Sequence, residues 1–266
     1  MRLADLTSVG RAIDPAYPTN LALIVLVSAV GVATGIWQNS AIWGLRAGIA
    51  VFFGWALTRE LDPEREMAAF VSAFLVILML LLVGLPDGPM FWLLLAMRVV
   101  NRTTGLAATW LDSLLLLALA LGSPWLLLLT AVFFTTDGWL SPPHHRQYLF
   151  AAISVAAAVH SMESAAVDAG FVPETAAVAL ILSAIGGPLV FACREVRARG
   201  DATEETLRPL RVQAAQLLAM VAATVVSASS GLMAMAPFWS ALVGACLQLA
   251  WQTPLGARSQ RKAATP

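Results

Sequence analysis

The chain of 266 residues is 59% hydrophobic and only 12% charged, far from the balance of a water-soluble domain. Its 16 basic and 16 acidic residues cancel, yet almost every Arg falls in alternate polar seams between apolar runs, so placement rather than net charge carries the information. The composition leaves no platform for nucleic acid. Without a Walker sequence, GxSxG, HExxH, an aspartate-rich run or a repeated carbonyl filter sequence, the chain is no ATP-driven pump in its own right and shows no recognised catalytic signature.

Residues 1–20 read as an N-terminal cytoplasmic segment. Met1, Leu6, Val9 and Ile13 recur there at roughly helical spacing, compatible with a helix lying on the membrane surface or with a frayed tail, and Asp5 and Asp14 argue against a cleaved leader. Residues 21–252 form a single transmembrane helical domain in this reading, and residues 253–266 a basic cytoplasmic tail.

A bilayer is spanned by about 20 apolar residues. The apolar runs predict helices at Leu21–Trp37, Ala41–Thr58, Met67–Gly84, Pro89–Val100, Gly105–Leu121, Pro124–Thr136, Gln147–Val167, Pro173–Cys193, Leu210–Met235 and Pro237–Gln252, separated by Pro and Gly breakers. The predicted fold is therefore all-α, a polytopic transmembrane helix bundle of about ten helices. Gly31 with Gly35, and Gly44 with Gly48, offer small-residue faces for close helix packing, and Gly186-Gly187-Pro188 predicts a kink in the eighth helix.

With the N-terminus inside, ten crossings place Arg2, Arg11, Arg59, Arg65, Arg98, Arg102, Arg146, Arg194, Arg197, Arg199, Arg208, Arg211, Arg258, Arg261 and Lys262 on the cytoplasmic side. Only Arg46 disagrees. Both termini are accordingly expected in the cytoplasm. The helices between residues 89 and 137 are short or broken, and parity of the charge pattern requires that stretch to cross three times, or once with a re-entrant pair. The abundance of Ala, Leu and Arg with almost no Lys points to a GC-rich bacterial genome, hence to a bacterial cytoplasmic (inner) membrane.

Ionisable residues inside apolar runs are costly and therefore mark function. The first group is Arg59, Glu60, Arg98, Asn101, Arg102, Thr103, Thr104 and Asp112, with Asp62 and Asp137 nearby. Arg98 and Arg102 supply planar donors, and Thr103 or Thr104 is positioned to cap a following helix whose amides face the same seam. Together they predict an anion site. Asp112, two turns into that predicted helix, is read as a proton acceptor, a cation ligand or the partner of an Arg. Asp62-Pro63 followed by Glu64 and Glu66 reads as a helix start.

The second group lies toward the outer half: His160, Glu163, Asp168 and Glu174, with Asp87 and Arg46. His160 and Glu163, three residues apart on one helix face, form a proton-coupling or helix-packing pair in this reading. No third ligand supports a metal, Cys193 and Cys246 form no CxxC pair, and only one of three histidines lies within a predicted helix, so no cofactor is expected. Asn101-Arg102-Thr103 matches a glycosylation sequon, but its predicted cytoplasmic side argues against modification.

Three functions fit, the first of them best. The first is a secondary transporter or permease of a small anionic solute. The second is a membrane-embedded enzyme acting on a lipid or polyprenyl phosphate at the cytoplasmic face. The third is a noncatalytic subunit of a larger membrane complex, whose partners would be another membrane protein or a second copy of the chain.

Overall fold

The computed structural model describes residues 7–10, 13–140, 145–164 and 172–263, with the backbone alone for residue 164 and residues 253–263. The expected surface helix near the N-terminus falls largely outside the described residues, as do His144 and Asp168. Among the described residues ten α-helices form: α1 Pro18–Trp37, α2 Ala41–Leu61, α3 Glu66–Leu82, α4 Met90–Asn101, α5 Trp110–Ala120, α6 Pro124–Leu140, α7 His145–Ser164, α8 Pro173–Ala192, α9 Pro209–Ser230 and α10 Ala236–Ala263. A short 3₁₀ turn, Leu232–Met235, precedes α10. Among the described residues the only β pairing is an isolated bridge between Arg199 and Thr206.

Local chemistry explains the boundaries. α1, α8 and α9 begin with Pro in the first turn, where the missing N–H costs nothing. The Ser40 hydroxyl accepts the Trp43 N–H at 3.4 Å and so starts α2. Gly31 and Gly35 of α1 meet Gly44 and Gly48 of α2 backbone to backbone, as the small-residue spacing predicts; a methyl carbon on Gly44 would overlap the Gly31 carbonyl. α9 ends earlier than predicted, at Ser230, because Gly231 takes a φ of +87° and turns the chain into the 3₁₀ segment. The α10 backbone runs beyond the predicted Gln252 to Ala263. α8 continues through Pro188, with Gly186 packed against Met220 and Leu242.

Among the described residues, five helical stretches are long and apolar enough to cross a membrane: Pro18–Trp37, Ala41–Leu61, Pro173–Ala192, Pro209–Ser230 and Leu232–Gln252. The protein is thus a multi-helix chain with the signature of a membrane protein. Length and apolarity qualify half of the ten predicted crossings. Of the rest, α4 and α5 have only 12 and 11 residues, which rise about 18 and 16 Å at 1.5 Å per residue.

The brevity of α4 is explained by its position. α4 touches α2, α5, α6 and α9 and buries nearly every side chain, Trp92, Leu93, Ala96 and Met97 among them, so protein rather than lipid surrounds it. Trp92 Nε1 donates to Thr130 Oγ1 at 2.9 Å and locks α4 to α6. At the far end of α4, irregular residues 83–89 lie against the 3₁₀ turn, where a carbon on Gly88 would overlap the Ala234 carbonyl. Irregular backbone at membrane depth is tolerated when protein covers it, and here two irregular segments cover each other.

Helix polarity alternates. At one end of the bundle the C-terminal ends of α2, α4 and α6 and the middle of α10 meet the N-terminal ends of α3 and α9, through Arg98 with Glu60, Arg102 and Arg211 with Asp137, and Arg65 with Gln252. Residues 89–137 hold three consecutive helices, of which α4 and α5 are the short ones. At the opposite end the anomalous Arg46 is paired with Asp87.

Candidate functional site

Three buried carboxylates organise the basic end of the bundle. Glu60, the penultimate residue of α2, has no exposed surface. It accepts from Arg98 Nε at 2.9 Å, from Asn101 Nδ2 at 3.3 Å and from Thr103 Oγ1 at 3.4 Å, while the same Asn101 amide donates to the Glu60 carbonyl at 2.9 Å. All three donors come from the last turn of α4 and the residues just after it.

Asp137, in the last turn of α6, is equally buried. Arg102 approaches it side-on, with Nε at 3.1 Å from Oδ1 and Nη2 at 3.2 Å from Oδ2, and Arg211 Nη1 donates at 2.8 Å to Oδ1 and at 2.7 Å to the Val100 carbonyl. Arg102 caps α4 at a φ of +53°, a left-handed conformation uncommon for a side-chain-bearing residue.

Asp112 departs most from expectation. Its helix begins at Trp110, five residues later than predicted, so Asp112 sits in the first turn and not two turns in. Thr109, not Thr103 or Thr104, is the cap: its hydroxyl accepts the Asp112 N–H at 3.3 Å while Asp112 Oδ2 accepts the Thr109 N–H at 2.8 Å, a reciprocal capping box. The prediction failed because the stretch from Gly105 to Ala108 is apolar enough to read as helix, and the polar Thr109 was passed over. Thr109→Ala is expected to lower stability by about 1 kcal/mol, visible as a reduced melting temperature in detergent; an unchanged melting temperature would remove the cap from the account.

The second partner of Asp112 is not a cation. Ser8 donates its N–H at 2.9 Å and its hydroxyl at 2.8 Å to Oδ2, and the Thr7 hydroxyl donates to Oδ1. Thr104 in turn donates to the Ser8 carbonyl, and Arg98 Nη1 donates at 2.9 Å to the Val9 carbonyl. A strap of N-terminal chain is thereby laid across the ends of α4 and α5. Nothing in the residue pattern marked Thr7 and Ser8, since two hydroxyls in a polar segment look like any loop.

Arg211 was read only as a topology anchor and proves to be a buried ion-pair partner. A detectable sign was its company: Arg211, Gln213 and Gln216 interrupt the first turns of an otherwise apolar helix. Gln216 Nε2 reaches the Leu61 carbonyl and, at 3.1 Å, Cys193 Sγ. Asp62, expected to start a helix, instead follows α2 as its C-cap and pairs with Arg65 at 2.7 Å. His160 and Glu163 are both exposed on α7, and no hydrogen bond or ion pair joins them.

A cavity of about 680 Å³ opens beside this network. Arg59, Arg98 and Thr104 of the predicted anion site line it, together with Ser8, Arg199 and the aromatic side chains Phe52, Trp55 and Phe70. Glu60, Asn101, Thr103 and Asp112 are buried behind that wall, where they fix Arg98 and the strap, and Arg102 is drawn away toward Asp137. The geometry thus separates the predicted residues into a lining set and a supporting set. Among the described residues no group of three His, Cys, Asp or Glu converges as metal ligands would. Comparison with known protein families, with curated proteins and with solved structures finds no match to the chain.

Proposed function

We propose that the protein is a secondary transporter or permease of a small anionic solute, resident in a bacterial inner membrane with both termini in the cytoplasm, and that the cavity beside Arg59 and Arg98 is its inward-facing chamber. The observation that carries this reading is the cavity's position at the end of a half-length central helix. α4 is bounded by irregular backbone on both sides, residues 83–89 and 102–109. Discontinuous helices with such breaks are how transporters bring backbone dipoles and charged side chains to a solute inside the bilayer.

The supporting network suits the role. Arg98 is held by Glu60 and by the Val9 carbonyl, so its position is fixed before a solute arrives and little ordering entropy remains to be lost on binding. Arg59 lies on the cavity wall, where Glu66 is 3.5 Å away.

Arg59→Gln is the test. In proteoliposomes supplied with labelled small organic phosphates and carboxylates, the wild type is expected to accumulate at least one of them. The variant should need about tenfold more solute for half-maximal uptake, the equivalent of one charge-assisted hydrogen bond. Its melting temperature should not change. Uptake identical in wild type, variant and protein-free liposomes would sink the proposal.

A further inference from the structure

Two buried oxygen acceptors away from the cavity have no donor. Asp62 and Gln216 are fully buried, yet Asp62 Oδ1 and Gln216 Oε1 find no hydrogen-bond partner among the described residues. A buried acceptor left unmet is costly. The Leu61 carbonyl links the two residues. Gln216 Nε2 donates to it at 2.5 Å and to Cys193 Sγ at 3.1 Å, which keeps Oε1, the other end of the same planar amide, within about 5 Å of that carbonyl. Asp62 is the next residue along the chain. Neither these three residues nor Cys193 line the cavity beside Arg98.

The cluster sits where two helices end. Leu61 is the last residue of α2, and Cys193 follows α8 as its C-cap. Each helix C-terminus carries about half a negative charge. Asp62 adds a full one, which Arg65 offsets by donating to Oδ2 at 2.7 Å; the same guanidinium also donates to Gln252 at 2.9 Å. Asp62, Arg65 and Glu64 are all felt at the Cys193 thiol, so the surroundings hold two carboxylates against one guanidinium before the helix ends are counted. Gln216 lies seven residues into α9, about 10 Å along its axis.

We infer that Asp62 Oδ1, Gln216 Oε1 and the Leu61 carbonyl bind a monovalent cation, for which sodium is the probe. The donors are a carboxylate, a primary amide oxygen and a peptide carbonyl, all hard oxygens. A single carboxylate is a poor match for calcium, which gathers six to eight oxygen ligands, and sulfur is too soft a ligand for sodium, which leaves Cys193 as the acceptor that orients Gln216. Helix C-termini and free backbone carbonyls are also the groups with which broken-helix transporters hold sodium.

The experiment follows the melting temperature of the detergent-purified full chain as sodium chloride replaces choline chloride at constant ionic strength, and measures equilibrium binding of radioactive sodium to the same preparation. Wild type is expected to retain about one sodium per chain and to melt higher as sodium rises, with saturation, because an ion bound by the native state stabilises it. Asp62→Asn keeps an acceptor for Arg65 but removes the charge, and should raise the sodium concentration for half-maximal effect about tenfold. Gln216→Met keeps the length of the side chain without its oxygen and should abolish the sodium response.

Wild type that retains no radioactive sodium overturns the inference whatever the variants do, and leaves Gln216 as a tie between α2, α8 and α9. A sodium response that survives unchanged in both variants overturns it as well, since the ion would then sit elsewhere. Anion uptake plays no part in either readout, so the cation site and the anion chamber can fail separately.

Discussion

Asp137→Ala is expected to be the most damaging single polar substitution in the protein. The carboxylate is fully buried and holds two guanidinium groups, Arg102 and Arg211, the latter with a side chain only 4% exposed. Removing it leaves two like charges facing each other across the vacated site without the carboxylate that holds both. Breaking a buried pair by deleting one partner costs about 3–5 kcal/mol, a large fraction of the stability of most domains. The expected result is a sharply reduced yield of folded protein, or a strongly lowered melting temperature in detergent.

The same logic predicts a rescue. With Asp137 already replaced by Ala, Arg211→Met removes the less exposed of the stranded charges, so the double variant should be more stable than Asp137→Ala alone. A melting temperature for Asp137→Ala within error of wild type would mean that the arginines reach water and that the triad is a minor contributor. A double variant no better than the single would mean that Arg211 is not the group left in distress.

Gly88→Ala is the second large effect, and it acts through shape rather than charge. The added carbon would overlap the Ala234 carbonyl oxygen, a backbone atom of the 3₁₀ turn that cannot swing aside as a side-chain tip can. Relief requires the residues around Gly88 and Leu232–Met235 to separate, which strips both irregular segments of the cover that each gives the other. A loss of about 3 kcal/mol is expected, measured as a fall in thermal stability. Gly122→Ala is the matched control. Nothing lies within 4 Å of a carbon there, and the change should be neutral or slightly stabilising.

The helical content was legible because the signal that carries it, long apolar runs cut by Pro and Gly, is a direct demand of lipid as solvent. Nine of the helix starts fall within a few residues of prediction, from Ala41 and Pro173, matched to the residue, to Leu21, where Pro18 is the true start. α5 is the exception. A capping box is a reciprocal pair of hydrogen bonds, and Thr109 with Asp112 could have been found as T-x-x-D; the apolar Leu106–Ala107–Ala108 ahead of it outweighed that sign. The end of α9 at Gly231 was likewise announced by the glycine and overridden by the apolar run beyond it.

The site divides in the same way. That Arg59, Glu60, Arg98, Asn101, Thr103 and Thr104 come together follows from helix polarity and was readable from parity alone. Their partition into wall and support was not, because it depends on which carboxylate each Arg reaches in three dimensions. Glu60 pairs with Arg98 at 2.9 Å. Arg102 goes instead to Asp137, 35 positions away, and Arg211 joins the same carboxylate across 74 positions. No periodicity carries contacts of that range.

The strap formed by Thr7, Ser8 and Val9 has a consequence in time. Ser8 emerges during synthesis 104 residues ahead of Asp112, the carboxylate that holds it. At about 5–20 residues per second that interval is roughly 5–20 s. Until Arg98, Thr104 and Asp112 have followed, the Ser8 and Val9 carbonyls and the Ser8 hydroxyl lack the groups that finally grip them. The strap can therefore be fastened only once α4 has been made, and a nascent chain halted before Arg98 would carry residues 7–9 without any of these partners.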